Sequence, residues 1–268
     1  MSGAALADLT GRRVLVVGAS AGIGRAAATR AVAAGAEVVL VARRADALAG
    51  AAAEAGGGTP VAADVADAAG RARLVEATVA ALGRVDLVLH AVGVADLRRL
   101  DAVDEAAWNA TLHTNVVAFN LLVRALLPHL APGALVAALS SEMAHDPWLG
   151  MGPYAASKAA LESSLRAWRA EHPAARFTCV VVGATQPSDF GAGFTPEALS
   201  EALPAWVRHG RLREAFMDTG DLAGALLGAL AAVLAVPGVG LEEIVLRSPS
   251  PVAGERWSPG AGGATGTG

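Results

Sequence analysis

Several side-chain types are almost absent from this sequence of 268 residues. It has one cysteine, one tyrosine and a single lysine among 21 basic residues. A lone cysteine excludes an internal disulfide, and Cys179 lies in the apolar run 177–182, which favours a buried and unreactive thiol. Because such a chain suits a reducing compartment, we expect a cytoplasmic protein.

Charged residues are also few. They make up 17% of the chain, against 54% hydrophobic residues, and the net charge is -4. This balance predicts a compact fold and, without a basic patch, no nucleic-acid partner and no binding to an anionic membrane surface. The first 13 residues contain no apolar core followed by a cleavage site, so they do not resemble a secretory signal.

One stretch, residues 222–241, is uncharged over about the length that spans a bilayer. Pro237 and Gly238 interrupt it, and the run 241–246 that follows has the pattern of a strand. These features favour a helix that is buried in the fold or in an interface, and we expect no membrane partner.

Short β-branched runs alternate with alanine-rich helical stretches along the chain. The runs are 14–17, 38–41, 60–63, 85–89, 134–139, 177–182 and 243–246. Strands that are apolar on both faces need helices on both sides, which predicts an α/β fold with one doubly wound, Rossmann-like parallel sheet. We expect a single domain over residues 1–252, whereas residues 253–268 are rich in glycine and proline and are expected to form a mobile tail or to lie on a neighbouring subunit.

A glycine-rich turn follows the first strand and leads into a helix. Glycines allow a tight turn and a close approach to a pyrophosphate, whose charge is favoured by the N–H groups and the dipole at a helix N-terminus. The alternative is a tight connection without a ligand, but the position between the first strand and a helix favours a dinucleotide site. The candidate cofactor-binding residues of this turn are Gly18, Ser20, Gly22, Ile23 and Gly24.

The lone tyrosine and the lone lysine are four residues apart. If residues 151–169 are helical, Tyr154 and Lys158 lie on one face, one turn from each other. Reduction of a carbonyl leaves an alkoxide that must receive a proton, and a phenol with a pKa near 10 gives up its proton reluctantly. A cation within about 4 to 6 Å lowers a phenol pKa by roughly 1 to 3, so we expect Lys158 to make Tyr154 a usable acid/base.

The spacing Gly-x-x-x-Gly-x-Gly, together with Tyr-x-x-x-Lys, resembles the short-chain dehydrogenase/reductase family over about residues 9 to 247. The resemblance implies an NAD(P)H-dependent oxidoreductase with a catalytic tetrad. Ser141 matches the family's serine that hydrogen-bonds the substrate carbonyl, and Asn115 matches the asparagine that holds a water linked to the lysine. Tyr154 and Lys158 complete the tetrad and also contact the cofactor.

The family pattern also implies how the rest of the cofactor is held. Asp64 and Val65 match residues beside the adenine ring, while Arg43 and Arg44 follow Ala42, where NAD-preferring enzymes commonly have an acid. Two arginines at a helix start favour a bound phosphate, so we expect NADP(H); the alternative is that both are only solvated.

Two turns depart from the family pattern. Of the family's Asn-Asn-Ala-Gly only Gly93 is retained, and His90 is interpreted as a packed histidine with no second ligand nearby, so no metal site is expected. Gly183 keeps the turn after the sixth strand, and Thr185 or Ser188 is expected to contact the cofactor.

Residues 142–153 and 184–218 are expected to wall a cavity for a small-molecule substrate. Their aromatic residues suggest an apolar or aromatic substrate, or else form a small core of their own. The family resemblance, and a helix over 222–236 that is apolar nearly all round, predict a homotetramer. Two other functions stay open: a redox-neutral isomerase or dehydratase, and a cofactor-sensing protein without catalysis.

Overall fold

The computed structural model describes residues 7–254. Seven parallel strands form one sheet in the order β3-β2-β1-β4-β5-β6-β9, and two short strands, β7 and β8, form a second one. The strands are β1 (Arg13–Val17), β2 (Glu37–Ala42), β3 (Thr59–Ala62), β4 (Val85–His90), β5 (Leu130–Leu139), β6 (Arg176–Val182), β7 (Thr185–Gln186), β8 (Met217–Asp218) and β9 (Glu243–Leu246). All seven predicted strands are present in the larger sheet.

Helices cover both faces of this sheet. They are α1 (Gly22–Ala33), α2 (Ala45–Ala55), α3 (Ala68–Leu82), α4 (Glu105–Leu112), α5 (Ala118–Leu126), α6 (Gly152–Glu171), α7 (Pro196–Arg208) and α8 (Thr219–Leu234). Alternate residues of β1 point to opposite faces: Val14 and Val16 pack with α1, α2 and α8, while Leu15 and Val17 pack with α3, α5 and α6. The predicted doubly wound, Rossmann-like fold is therefore confirmed.

The strand order reverses beside β1, which has β2 on one side and β4 on the other. Val17 is paired with Val41 on β2 and with His90 on β4, so the loops after these three strands leave the same edge of the sheet. In open α/β sheets this crevice at the carboxyl ends is where ligands bind.

A third cluster of buried residues lies outside the sheet. It joins the loop before α6 to the segment 184–218, which we call the lid segment. The rings of Trp148 and Trp206 are 5.3 Å apart and both are buried. Ala253, the first residue of the predicted tail, is also buried there, and its N–H donates to Leu212 O at 2.8 Å. Residues 255–268 lie outside the described residues.

Among residues 7–254, one helical run, Glu105–His129, is long and apolar enough to cross a membrane, with a mean hydropathy of 1.3. Length and composition alone are weak grounds, because core helices of soluble proteins pass the same test. Here Phe119, Leu122 and Leu126 pack against the sheet. The uncharged stretch 222–241 contains most of α8. This helix buries its leucines against the sheet and α1, and it exposes Ala225 and Ala232 on its other side.

Candidate active site

The glycine-rich turn has a backbone path that only glycine permits. Gly18 has a φ of 95°, and a Cβ added to it would lie 2.9 Å from Ala91 C. A Cβ added to Gly24 would lie 2.2 Å from Gly18 O, where backbone leaves no room. These contacts pack the start of α1 tightly against β1 and the loop after β4.

The N-terminus of α1 fits a pyrophosphate. Its N-cap residue, Ala21, makes no side-chain hydrogen bond to the first N–H groups. The same holds for α2, α5 and α6, whereas α3, α4, α7 and α8 are each capped by an Asp or Thr side chain. The first N–H groups of a helix need such a partner, and an anion supplies one. Gly22 has a φ of 52°, and the nearest atoms to an added Cβ there belong to Ser188, at 4.0 Å.

Arg43 and Arg44 lie at the end of β2, beside this turn. Arg43 Nη1 is 4.0 Å from Asp64 Oδ2, and its side chain is 68% exposed. Arg44 Nη2 is 2.8 Å from Asp189 Oδ2, on the lid segment, and 3.5 Å from Ser20 Oγ. Both guanidinium groups thus lie at the carboxyl edge of the sheet, and both have acidic neighbours.

The remaining predicted cofactor residues surround the same crevice. Asp64 Oδ1 accepts from Ala66 N at 2.9 Å, which fixes the loop after β3, and Val65 is buried. A Cβ added at Gly93 would lie 3.2 Å from Lys158 Nζ, a tight contact that places the loop after β4 directly beside the lysine. Ile23 packs partly buried against the core cluster beneath α1.

Asn115 lies in a π-helical turn, His113–Val117, between α4 and α5. Its side-chain Oδ1 accepts from Val94 N at 2.8 Å, and its Nδ2 donates to Val94 O and to Ser157 Oγ, both at 2.9 Å. Such turns often occur at functional sites. The asparagine ties the loop after β4 to the helix that carries the tyrosine. Ser157 is not among the predicted site residues, although it lies three residues after Tyr154 on the same helix.

Ser141, Tyr154 and Lys158 are brought together as the sequence predicted. The tyrosine and the lysine lie one turn apart on α6, with Lys158 Nζ 5.7 Å from the centre of the phenol ring. Lys158 Nζ donates to Leu139 O at 2.7 Å. Ser141 follows β5 and accepts from Met143 N at 3.2 Å, and its hydroxyl lies near enough to Tyr154 to favour the ionised phenol.

Burial controls the proton affinities of this group. Burial raises the pKa of Tyr154 to about 12, and the neighbouring Ser141 hydroxyl acts in the opposite direction. Burial also lowers the pKa of Lys158 to about 8. The expectation that the ammonium would lower the tyrosine pKa is therefore not met, because removing the phenol from water has the larger effect. At neutral pH Tyr154 holds its proton and Lys158 remains mostly charged, which suits proton donation.

Gly183 and Thr185 follow β6. Gly183 N donates to Leu246 O at 3.0 Å, and a Cβ added there would lie 3.4 Å from Glu142 Oε2. Thr185 pairs with Met217 in the small sheet that begins the lid segment. Both residues lie at the carboxyl edge of the sheet, as predicted.

His90 is a packed histidine, as expected. It is buried against Phe119, with ring centres 5.1 Å apart, and burial lowers its pKa to about 3. Its two ring nitrogens have no hydrogen-bond partner among residues 7–254. The buried Cys179 thiol has a pKa raised to about 12, chiefly by burial, which agrees with the expectation of an unreactive cysteine.

The aromatic residues of the two predicted cavity walls, 142–153 and 184–218, fall into two groups. Phe190 of the lid segment lies edge-on to the Tyr154 ring at 5.0 Å, and Phe194 packs on Phe190 at 5.7 Å. Phe190 therefore lies against the Tyr154 phenol, with Phe194 next to it. Trp148 and Trp206 instead pack on each other within the third buried cluster, and Trp206 Nε1 donates to Leu149 O at 2.9 Å.

Comparisons with known proteins all point to one family. Residues 12–198 match the short chain dehydrogenase family. The short-chain dehydrogenase/reductase FrzI of Cladobotryum sp is 34% identical over 169 residues, 61% of this chain and 66% of its own. Dehydrogenase/reductase SDR family member 4 of Oryctolagus cuniculus is 31% identical over 221 residues, 79% of this chain and 85% of its own.

A solved short chain dehydrogenase from Burkholderia cenocepacia J2315, in complex with NADP, has a TM-score of 0.71 and 26% identity, and the match covers 90% of this chain and 98% of that one. Against FrzI and two further curated relatives, the matched stretch covers 66%, 61% and 52% of their length.

Proposed function

The chain belongs to the short-chain dehydrogenase/reductase family, and from this premise we propose that it transfers a hydride between NADPH and a carbonyl or alcohol substrate. The observation that carries the proposal is the grouping of Ser141, Tyr154 and Lys158 beside the glycine-rich turn. When bound, the nicotinamide would supply or accept the hydride. The protein's own residues supply orientation, charge and the proton.

Each residue of the tetrad has a separate task in this proposal. Ser141 hydrogen-bonds the substrate carbonyl oxygen, and Tyr154 donates its phenolic proton to the oxygen as negative charge develops there. Lys158 provides a buried positive charge that favours the resulting phenolate. Asn115 holds the loop after β4 and α6 in register, and its π-helical turn is suited to binding a water that passes a proton to Lys158.

We further propose that NADPH is preferred over NADH. Ala42 takes the place of an acid that would bind both ribose hydroxyls, and Arg43 extends from the end of β2 with most of its side chain in solvent. A planar guanidinium can bind a phosphate through two hydrogen bonds. The Burkholderia relative with bound NADP is consistent with this choice.

We propose a small apolar or aromatic substrate. The support for this is the position of Phe190, whose ring lies against the Tyr154 phenol, with Phe194 behind it. A substrate carbonyl that reaches Tyr154 and Ser141 would place its neighbouring atoms against these rings.

We also propose a cytoplasmic homotetramer without nucleic-acid or membrane partners. The alanine-lined outer face of α8 suits close helix packing between subunits.

The test is a screen of ketones, quinones and alcohols that follows the absorbance of reduced nicotinamide with both cofactors. We expect turnover with at least one class, a preference for NADPH, and a loss of about 100-fold or more in Tyr154→Phe with NADPH affinity nearly unchanged. Parental turnover in Tyr154→Phe would refute the assigned acid/base. Turnover without net consumption of cofactor would instead indicate an isomerase or dehydratase, and cofactor binding without any turnover would indicate a sensing protein.

A further inference from the structure

A buried carboxylate lies one helical turn beyond the catalytic lysine. Glu162 is on α6, four residues after Lys158, and its side chain is only 2% exposed. Residues four apart share a helix face, so Tyr154, Lys158 and Glu162 form one row along α6. Because an unpaired carboxylate in the interior is very costly, the partners of Glu162 need an explanation.

Both carboxylate oxygens are paired with the segment that carries Ser141. Ser140 Oγ donates to Glu162 Oε1 at 2.5 Å, and His145 Nε2 lies 2.8 Å from Glu162 Oε2. The other two residues of the row face the same segment, since Lys158 donates to Leu139 O and the Ser141 hydroxyl lies near enough to Tyr154 to lower the pKa of the phenol. The row on α6 therefore holds three consecutive residues at the end of β5.

His145 closes this arrangement from the solvent side. It follows the short turn Glu142–Ala144, which Ser141 caps, and its side chain is 65% exposed. Glu162 thus contacts the residue before Ser141 and the residue after the turn. The catalytic serine lies between two points that are fixed to the same carboxylate.

We propose that Glu162 is a positioning residue, which holds residues 140–145 against α6 through Ser140 and His145 and thereby fixes Ser141 relative to Tyr154. The inference rests on the proposed function, because it gives Glu162 a role in turnover only if these two residues act on a substrate carbonyl. A displacement of about 1 Å in such a group can reduce the rate about 100-fold.

The charge of Glu162 adds a second, measurable effect. The ionisable groups that face it are Lys158 on its own helix, His145 on the loop and Cys179 on β6. Burial lowers the pKa of Lys158, and the carboxylate acts against this. Loss of the negative charge lowers the proton affinity of every neighbouring group. The fall of kcat for carbonyl reduction at high pH, which we call the basic limb, should therefore move to lower pH.

The test uses Glu162→Gln and His145→Gln in the full chain. The controls are Glu171→Gln, at an exposed position on α6, and His209→Gln, at an exposed position just after α7. In Glu162→Gln we expect kcat to fall about 10-fold to 100-fold. The basic limb should move by about 0.5 to 1 toward lower pH, and the NADPH Kd, from cofactor fluorescence, should stay within about two-fold. In His145→Gln the carboxylate remains, so kcat should fall about 3-fold to 10-fold without movement of the basic limb.

Two results would overturn the inference. One is a folded Glu162→Gln variant whose kcat and pH dependence equal those of the parent protein. The other is a lower kcat in that variant while the basic limb of the pH profile stays where it is in the parent, because this would indicate structural support only. If Glu162→Gln does not fold, His145→Gln decides, and parental kcat there overturns the inference. The Tyr154→Phe variant separates the two proposals: if it loses turnover while the Glu162 and His145 variants do not, only this inference fails.

Discussion

Replacing Lys158 by methionine should stabilise the folded protein at neutral pH and abolish turnover. Lys158 is buried, and burial lowers its pKa from 10.5 to about 8, so the folded state holds this proton less tightly than the unfolded chain does. At about 1.4 kcal/mol for each tenfold change in affinity, the difference corresponds to about 3 kcal/mol of lost stability. Methionine has a similar length without charge, but it leaves Leu139 O without the ammonium donor, which costs about 1 kcal/mol. The net gain should be about 1 to 2 kcal/mol.

The sign of the pH dependence identifies the cause. A lysine with a lowered pKa destabilises the fold fully below pH 8, and the penalty disappears as the pH rises from about 8 to 10.5, where the unfolded chain also loses the proton. Urea unfolding of both proteins between pH 7 and pH 11 should therefore show a difference that shrinks toward zero or reverses. Lys158→Arg is the control, because it keeps its charge throughout. A methionine variant less stable than the parent at pH 7, or a difference independent of pH, would refute the reasoning.

Three further predictions concern the cofactor turn, the cofactor and the assembly. Gly24→Ala should destabilise the protein by about 1 to 3 kcal/mol and weaken NADPH binding, since its Cβ would lie 2.2 Å from a backbone oxygen. Gly50→Ala is the control: nothing lies within 4 Å of its Cβ, so urea unfolding should show a neutral or stabilising effect. Arg43→Ala should lower the preference for NADPH over NADH by about 10-fold or more in kcat/KM, toward the lower end because the side chain is exposed, and an unchanged ratio would defeat the assignment. Light scattering should give a tetramer at micromolar concentration, and a stable monomer would contradict this.

The seven strands, the doubly wound parallel sheet and the position of the site could be predicted from the sequence, because they follow from local patterns, whereas the order of the strands comes from the structure. Strands that are apolar on both faces require helices on both sides, and parallel strands bring their carboxyl ends to one edge. The glycine-rich turn and the four-residue spacing of Tyr154 and Lys158 are equally local, since helix geometry alone puts the two side chains on one face. Boundaries were less accurate: β5 begins at Leu130 and not at 134, because Leu130 pairs with Val85 beyond an irregularity in the register that includes Gly133, whose φ is 72°.

The partners and the proton affinities were decided only by the tertiary structure. Arg44 meets Asp189 across 145 residues of chain, and no spacing rule indicates that contact. The paired carboxylate of Glu162 depends on how the loop after Ser141 folds back onto α6. The tyrosine pKa rises because packing removes the phenol from water, an effect that a lysine four residues away does not reveal. Sequence periodicity determines which faces become buried, whereas desolvation and long-range pairing depend on which faces finally meet.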